Sequence, residues 1–176
     1  MTLRRTVVLL VLVTLAAVLV VVVRPPERPT GAQAVHGRHV FGEEGAPVEE
    51  VSATWGDARF AARRRDAGWE IDGHPASAAT ATAIDDLVEA LVGLRALDTF
   101  RPHDEATFGL DTPRGVIALT RAGRVRRLVV GALTAAGSAF YARREGDTRV
   151  VQVGTGLQSA VERVLFARDR QRPDSG

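Results

Sequence analysis

Apolar residues are gathered first into one unbroken run and then into shorter, periodic groups. Thr6 to Val23 reads TVVLLVLVTLAAVLVVVV, eighteen residues without a charge, a glycine or a proline. As a helix this run spans roughly 27 Å at 1.5 Å per residue, near the ~30 Å hydrocarbon core of a bilayer. Its threonines can bond back to the helix backbone, and Arg24 with Pro25-Pro26 stops the helix. Behind a short N-terminal flank, residues 1–5, the run over 6–23 is expected to be an uncleaved transmembrane helix in contact with the lipid bilayer. The competing expectation is a cleaved signal peptide with Ala32-Gln33-Ala34 as its processing site. That site lies far beyond the run, and the run exceeds the usual ~7–15-residue apolar region. Either reading exports the remainder. Arg4 and Arg5 before the run, against Arg24 and Arg28 after it, favour the N-terminus inside and the domain outside an inner (cytoplasmic) membrane.

Residues 24–38 are rich in Pro and Gly and have no apolar period, which predicts a semi-extended stalk. From there to residue 168 the pattern predicts one soluble domain, followed by a polar tail over 169–176. Val51, Ala53 and Trp55 alternate with polar residues, Gly56-Asp57 offers a turn, and Ala58, Phe60 and Ala62 alternate again. Asp66-Ala67-Gly68 offers a second turn before Trp69 and Ile71. This is an antiparallel meander with one buried face. The period then lengthens, with Ile84, Leu87, Val88, Leu91, Leu94 and Leu97 at three- and four-residue spacing. An amphipathic helix is predicted over 77–97, with Pro75 and Ser77 as start signals. Residues 100–113 read as a loop. Hairpins follow around Ala122-Gly123 and around Glu145-Gly146-Asp147, and a last helix over 156–168 carries Leu157, Val161, Val164 and Leu165. The order predicts an α+β fold, an antiparallel β-sheet with two amphipathic helices packed on one face. The shared strand-then-helix order of the two halves fits a duplication, although no residue-level repeat marks one.

Composition narrows the functions. The chain of 176 residues contains no cysteine, which removes disulfides, thiolate metal sites and cysteine nucleophiles. Its pI of 10.2 suggests a nucleic-acid binder, but the net charge is only +2. Every basic residue is Arg, which stays protonated to very high pH. With Arg4 and Arg5 set aside the rest is formally neutral, so no nucleic acid is expected as a partner.

The candidate chemistry is sparse. His36 and His39 lie three apart in the stalk without a third ligand, and His74 sits in a turn. His103-Asp104-Glu105 groups three ionisable residues, for which a helix start or turn is sufficient explanation. Asp85, Asp86 and Glu89 read as a solvated helix face rather than a cation site. Arg63-Arg64-Arg65 is the densest basic run. On a strand its members point to alternating faces, and charges guarding a sheet edge account for it, as for Arg126-Arg127 and Arg143-Arg144. Gly154-Thr155-Gly156 opens the last helix without the remaining residues of a dinucleotide-binding loop. No residue is therefore put forward as catalytic, cofactor-binding or metal-ligating.

One motif adds a resemblance. Phe108-Gly109-Leu110, with Pro113, resembles the aromatic-Gly-Leu-x-x-Pro turn of the bacterial family called domain of unknown function 4340. Trp69-Glu70-Ile71 before a long apolar helix, Val129-Val130-Gly131, Phe140-Tyr141-Ala142-Arg143 and Val150 to Val153 follow the family's order. The resemblance covers about Val48 to Arg168. It implies a membrane-anchored extracytoplasmic protein, in some cases encoded beside ABC-type exporters of the gliding-motility kind, and it carries over no catalytic residue. The residues themselves suggest that Gly109 takes a left-handed turn and that Leu110 anchors it in the core. The expected function is a non-enzymatic interaction or assembly module at the cell envelope with a membrane or envelope protein partner, accessory to a transporter. A glycan- or lipid-binding module is the alternative, and a hydrolase the reading least supported by the sequence.

Overall fold

The computed structural model describes residues 37–42, 45–66, 68–104 and 106–171. The apolar run at 6–23, the stalk as far as His36 and the tail from 172 lie outside them. No helix among the described residues is long and apolar enough to cross a membrane.

Alternation makes the strands. In β1 (Val48–Trp55) the side chains of Val51, Ala53 and Trp55 are buried, and in β2 (Ala58–Arg65) those of Phe60 and Ala62 are. β3 (Gly68–Ile71) and the two-residue β4 (His74–Pro75) complete a first meander. A second runs through β6 (Gly115–Arg121), β7 (Arg124–Leu133), β8 (Ala139–Arg144) and β9 (Val150–Gly154). The β6–β7 turn takes positive φ at both central residues, Ala122 (46°) and Gly123 (70°), the geometry whose twist matches a two-residue hairpin. β1 and β6 pair antiparallel and join the meanders. A short strand, β5 (Asp98–Phe100), pairs with β9. The sheet order is β4-β3-β2-β1-β6-β7-β8-β9-β5, antiparallel throughout.

Each meander is followed by a helix, α1 (Ala78–Val92) and α2 (Gly156–Gln171). Ile84, Leu87 and Leu91 of α1, and Leu157, Val161 and Val164 of α2, join Val51, Phe60, Ile117, Leu128 and Phe140 in one apolar cluster. Each such fully buried side chain contributes about 1.5–3 kcal/mol. The helices run antiparallel. Gln171 at the end of α2 accepts from the Ser77 N–H (2.8 Å) and donates to the Pro75 carbonyl, next to the start of α1. Two strand-then-helix halves thus meet at the β1–β6 pair, with consecutive strands running outward from it on each side.

Three expectations change. α1 ends at Val92 rather than Leu97, because Gly93 caps it and residues 94–96 turn away to bond with 37–40 (Val40 N–H to Leu94 carbonyl 2.8 Å, Ala96 N–H to Arg38 carbonyl 3.1 Å). Leu97 is consequently exposed. β2 lies inside the sheet, between β1 and β3, so the arginines at 63–65 guard no edge. Arg63 instead pairs with Glu50 (3.1 Å) and Arg65 with Glu70 (3.0 Å) on one face, while Arg64 reaches Asp85 of α1 (3.3 Å) on the other. Leu110 is buried, but outside the main cluster.

Candidate functional site

Both helices cover the same side of the sheet; two features lie on the opposite side and a third lies on the helix side. At its centre the cross-strand rows Thr54–Arg59, Thr54–Val116, Ser52–Ala61, Ser52–Ala118 and Ala118–Arg127 place small side chains over the β1–β6 joint. Because these residues are small, the surface dips into an open groove of about 350 Å³, with Arg59 and Arg127 at its rim. Arg127 is held by Glu145 (2.9 Å).

Over β7–β9 the segment 101–113 folds onto this side. Phe100 and Phe108 each meet Tyr141 edge to face and are tilted against one another, with centroids 4.8–6.1 Å apart. Gly109 has φ of +66°, as its sequence context suggested, and it lies against Ala132. A Cβ on Gly131 would stand 2.2 Å from the Phe108 carbonyl oxygen. The Phe-Gly-Leu turn and the Val-Val-Gly strand, separate along the sequence, are two halves of one contact.

The third feature lies at the β8–β9 turn, on the helix side. Asp147 accepts from Nη2 of Arg144 (2.8 Å) and from the backbone N–H, Nε and Nη2 of Arg149 (3.0–3.2 Å). The Arg149 guanidinium foremost, opposed by desolvation and reinforced by Arg144, holds the Asp147 carboxyl well below the usual carboxylate range, and Asp147 in turn raises Arg149. Beside this triad a cleft of about 30 Å³ opens among Arg38, His39, Val40, Ala96, Thr99 and Val151. The Thr99 hydroxyl is buried there with no hydrogen-bond partner in the described residues. His39 Nδ1 donates to the Val92 carbonyl (3.0 Å) at the α1 C-terminus.

The residues singled out from sequence disperse. His39 is occupied as a cap and His36 lies outside the described residues. Asp104 accepts from the Ala106 N–H (3.0 Å) and Thr107 hydroxyl and starts a 3-10 turn over Ala106–Phe108, the helix-start role expected of it. Asp85 is more than a solvated carboxylate. It accepts from Trp69 Nε1 (2.8 Å) and from Arg64, whose guanidinium stacks on the Trp69 ring. Gly154 to Gly156 is a plain strand-to-helix turn, with the Gln158 N–H on the Thr155 carbonyl. No group of three or more His, Asp or Glu able to hold a metal occurs among the described residues. Sequence reasoning missed Thr99 and the Arg144–Asp147–Arg149 triad. Asp147 was visible only as a turn residue, and Thr99 lay in an unrecognised strand.

The family described as Domain of unknown function (DUF4340) matches residues 69–167. No curated protein and no solved structure matches the chain.

Proposed function

The chain belongs to the DUF4340 family, and from that premise we propose that it is a non-enzymatic interaction module, held by a single transmembrane helix over residues 6–23 with its domain on the extracytoplasmic side of the inner membrane. On this reading it assembles with a membrane or envelope protein, as an accessory subunit of an ABC-type transporter or another envelope complex. The observation that supports it is the one-sided sheet. Helices cover one side, whereas the other presents a shallow groove of small side chains between arginine-bearing strands. A broad shallow surface suits a protein partner better than a small molecule, which needs a deeper enclosure. The apolar run, with its flanking arginines, supports the anchor.

The test is in-cell photo-cross-linking of the tagged full-length chain, with the reactive group placed at Ser52 or Ala118 on the open side, or at Thr82 on α1. Capture of an envelope protein from Ser52 and Ala118 but not from Thr82, and its loss when residues 6–23 are deleted, is the expected result. Capture from Thr82 alone would move the interface to the helices, and no capture above background from any position would end the assembly reading.

A further inference from the structure

We propose that the cleft between the 37–40 segment, β5 and the β8–β9 turn binds a phosphate group. Four observations converge there. The first is an unmet need, because the Thr99 hydroxyl is buried without a partner, and a buried polar atom left unpaired costs free energy. The second is charge. Among the described residues, Arg38, Arg144 and Arg149 line the cleft against Asp147 alone, a surplus that suits an anion carrying between one and two negative charges. The third is spare donors. Asp147 takes Nε and Nη2 of Arg149 and Nη2 of Arg144, and a guanidinium has five N–H donors, so both arginines keep N–H groups for a ligand.

The fourth is preorganisation. Asp147 fixes both guanidiniums, and Arg149 is bound through two side-chain nitrogens, so little rotamer freedom remains to be lost on binding. The cleft volume of about 30 Å³ admits one or two oxygen atoms rather than a whole ligand. We place a terminal phosphate oxygen in the cleft beside Thr99, whose buried hydroxyl becomes its donor, while the other oxygens stay at the arginine rim, where a wide range of groups can be attached to them. The site lies on the helix side of the sheet, opposite the open groove.

Phosphorus NMR of inorganic phosphate titrated with the full-length chain in mild detergent tests this, with chloride at matched ionic strength as control. Saturable broadening that chloride does not abolish is expected. Thr99→Val and Arg38→Ala should each weaken it about tenfold, the loss of one charge-assisted hydrogen bond, while thermal melting is unchanged or raised. A short-chain phosphatidic acid below its micelle-forming concentration separates the sources. If it displaces inorganic phosphate the site accepts lipid headgroups, and if it does not the ligand is a soluble phosphate. The proposal is overturned if chloride at matched ionic strength abolishes the broadening, or if folded Thr99→Val binds phosphate as tightly as the parent.

Discussion

At the scale of single residues, two positions carry consequences out of proportion to their size. Gly131 exists as glycine because the Phe108 carbonyl occupies the space a Cβ would need, 2.2 Å away. Gly131→Ala must displace backbone rather than the end of a flexible side chain. It should destabilise the domain by about 2 kcal/mol or more, read as a lower denaturation midpoint with loss of near-UV signal from Tyr141. An unchanged midpoint would show that the 101–113 segment is not held as described. Asp147 gives a pH effect of definite sign. Its folded-state pKa lies below the ordinary 3.8, so its pairing stabilises the fold above that value and is lost as pH falls through and below it. Asp147→Asn should therefore be less stable at neutral pH, and its stability should decline less steeply than the parent's below about pH 4. Equal slopes in acid denaturation would mean that the triad contributes no net free energy. The side chains of Arg144 and Arg149 are 35–37% exposed, so solvent screens part of this effect.

At the scale of elements, the N-terminus of α1 shows how local signals and tertiary contacts divide the work. The Ser77 hydroxyl accepts from the Thr80 N–H (3.2 Å), an N-cap, while the Ser77 N–H is satisfied by Gln171 from the other helix. Ser77→Ala should cost about 1 kcal/mol, and Ser77→Asp, which restores the acceptor, should recover most of it in urea denaturation. No loss in the alanine variant would mean that Gln171 alone fixes this end. The cap was legible in the sequence, as were the alternating strands and both hairpins, because each follows from neighbours a few residues apart. The other end of α1 was not. Leu94 and Leu97 continue the helical period, but the chain leaves the helix at Gly93 to pair with residues 37–40, more than fifty positions upstream. β5 was missed for the same reason, since three residues give no period and its strand partner, β9, comes after three intervening strands. The phosphate cleft is built from those two missed pieces and a turn, so nothing in the spacing of its residues could announce it.

At the scale of the whole molecule, the family match and the fold do not share a boundary. The match begins at Trp69, in β3, whereas the sequence resemblance was read from about Val48. In the sheet, β1 and β2 lie between β3 and β6, so the matched stretch is not contiguous without them. Removing residues 48–65 would leave β3 and β6 with unpaired edges in the middle of the structure and strip Val51, Trp55 and Phe60 from the cluster under both helices. Buried backbone groups without partners cost free energy at every position, and exposed apolar edges invite aggregation. A chain starting at Trp69 should therefore be expressed as an aggregate or lack a cooperative thermal transition, whereas one starting at Gly37 and ending at Gln171 should unfold in a single transition. The shared strand-then-helix order of the two halves sharpens the comparison. If the half built on β6–β9 and α2 were self-sufficient, the chain from Trp69 would still melt cooperatively, and the two halves would have to be regarded as separate folding units. If it does not, the β1–β6 pair is the element that makes one domain of them, and the open groove lies directly over that joint.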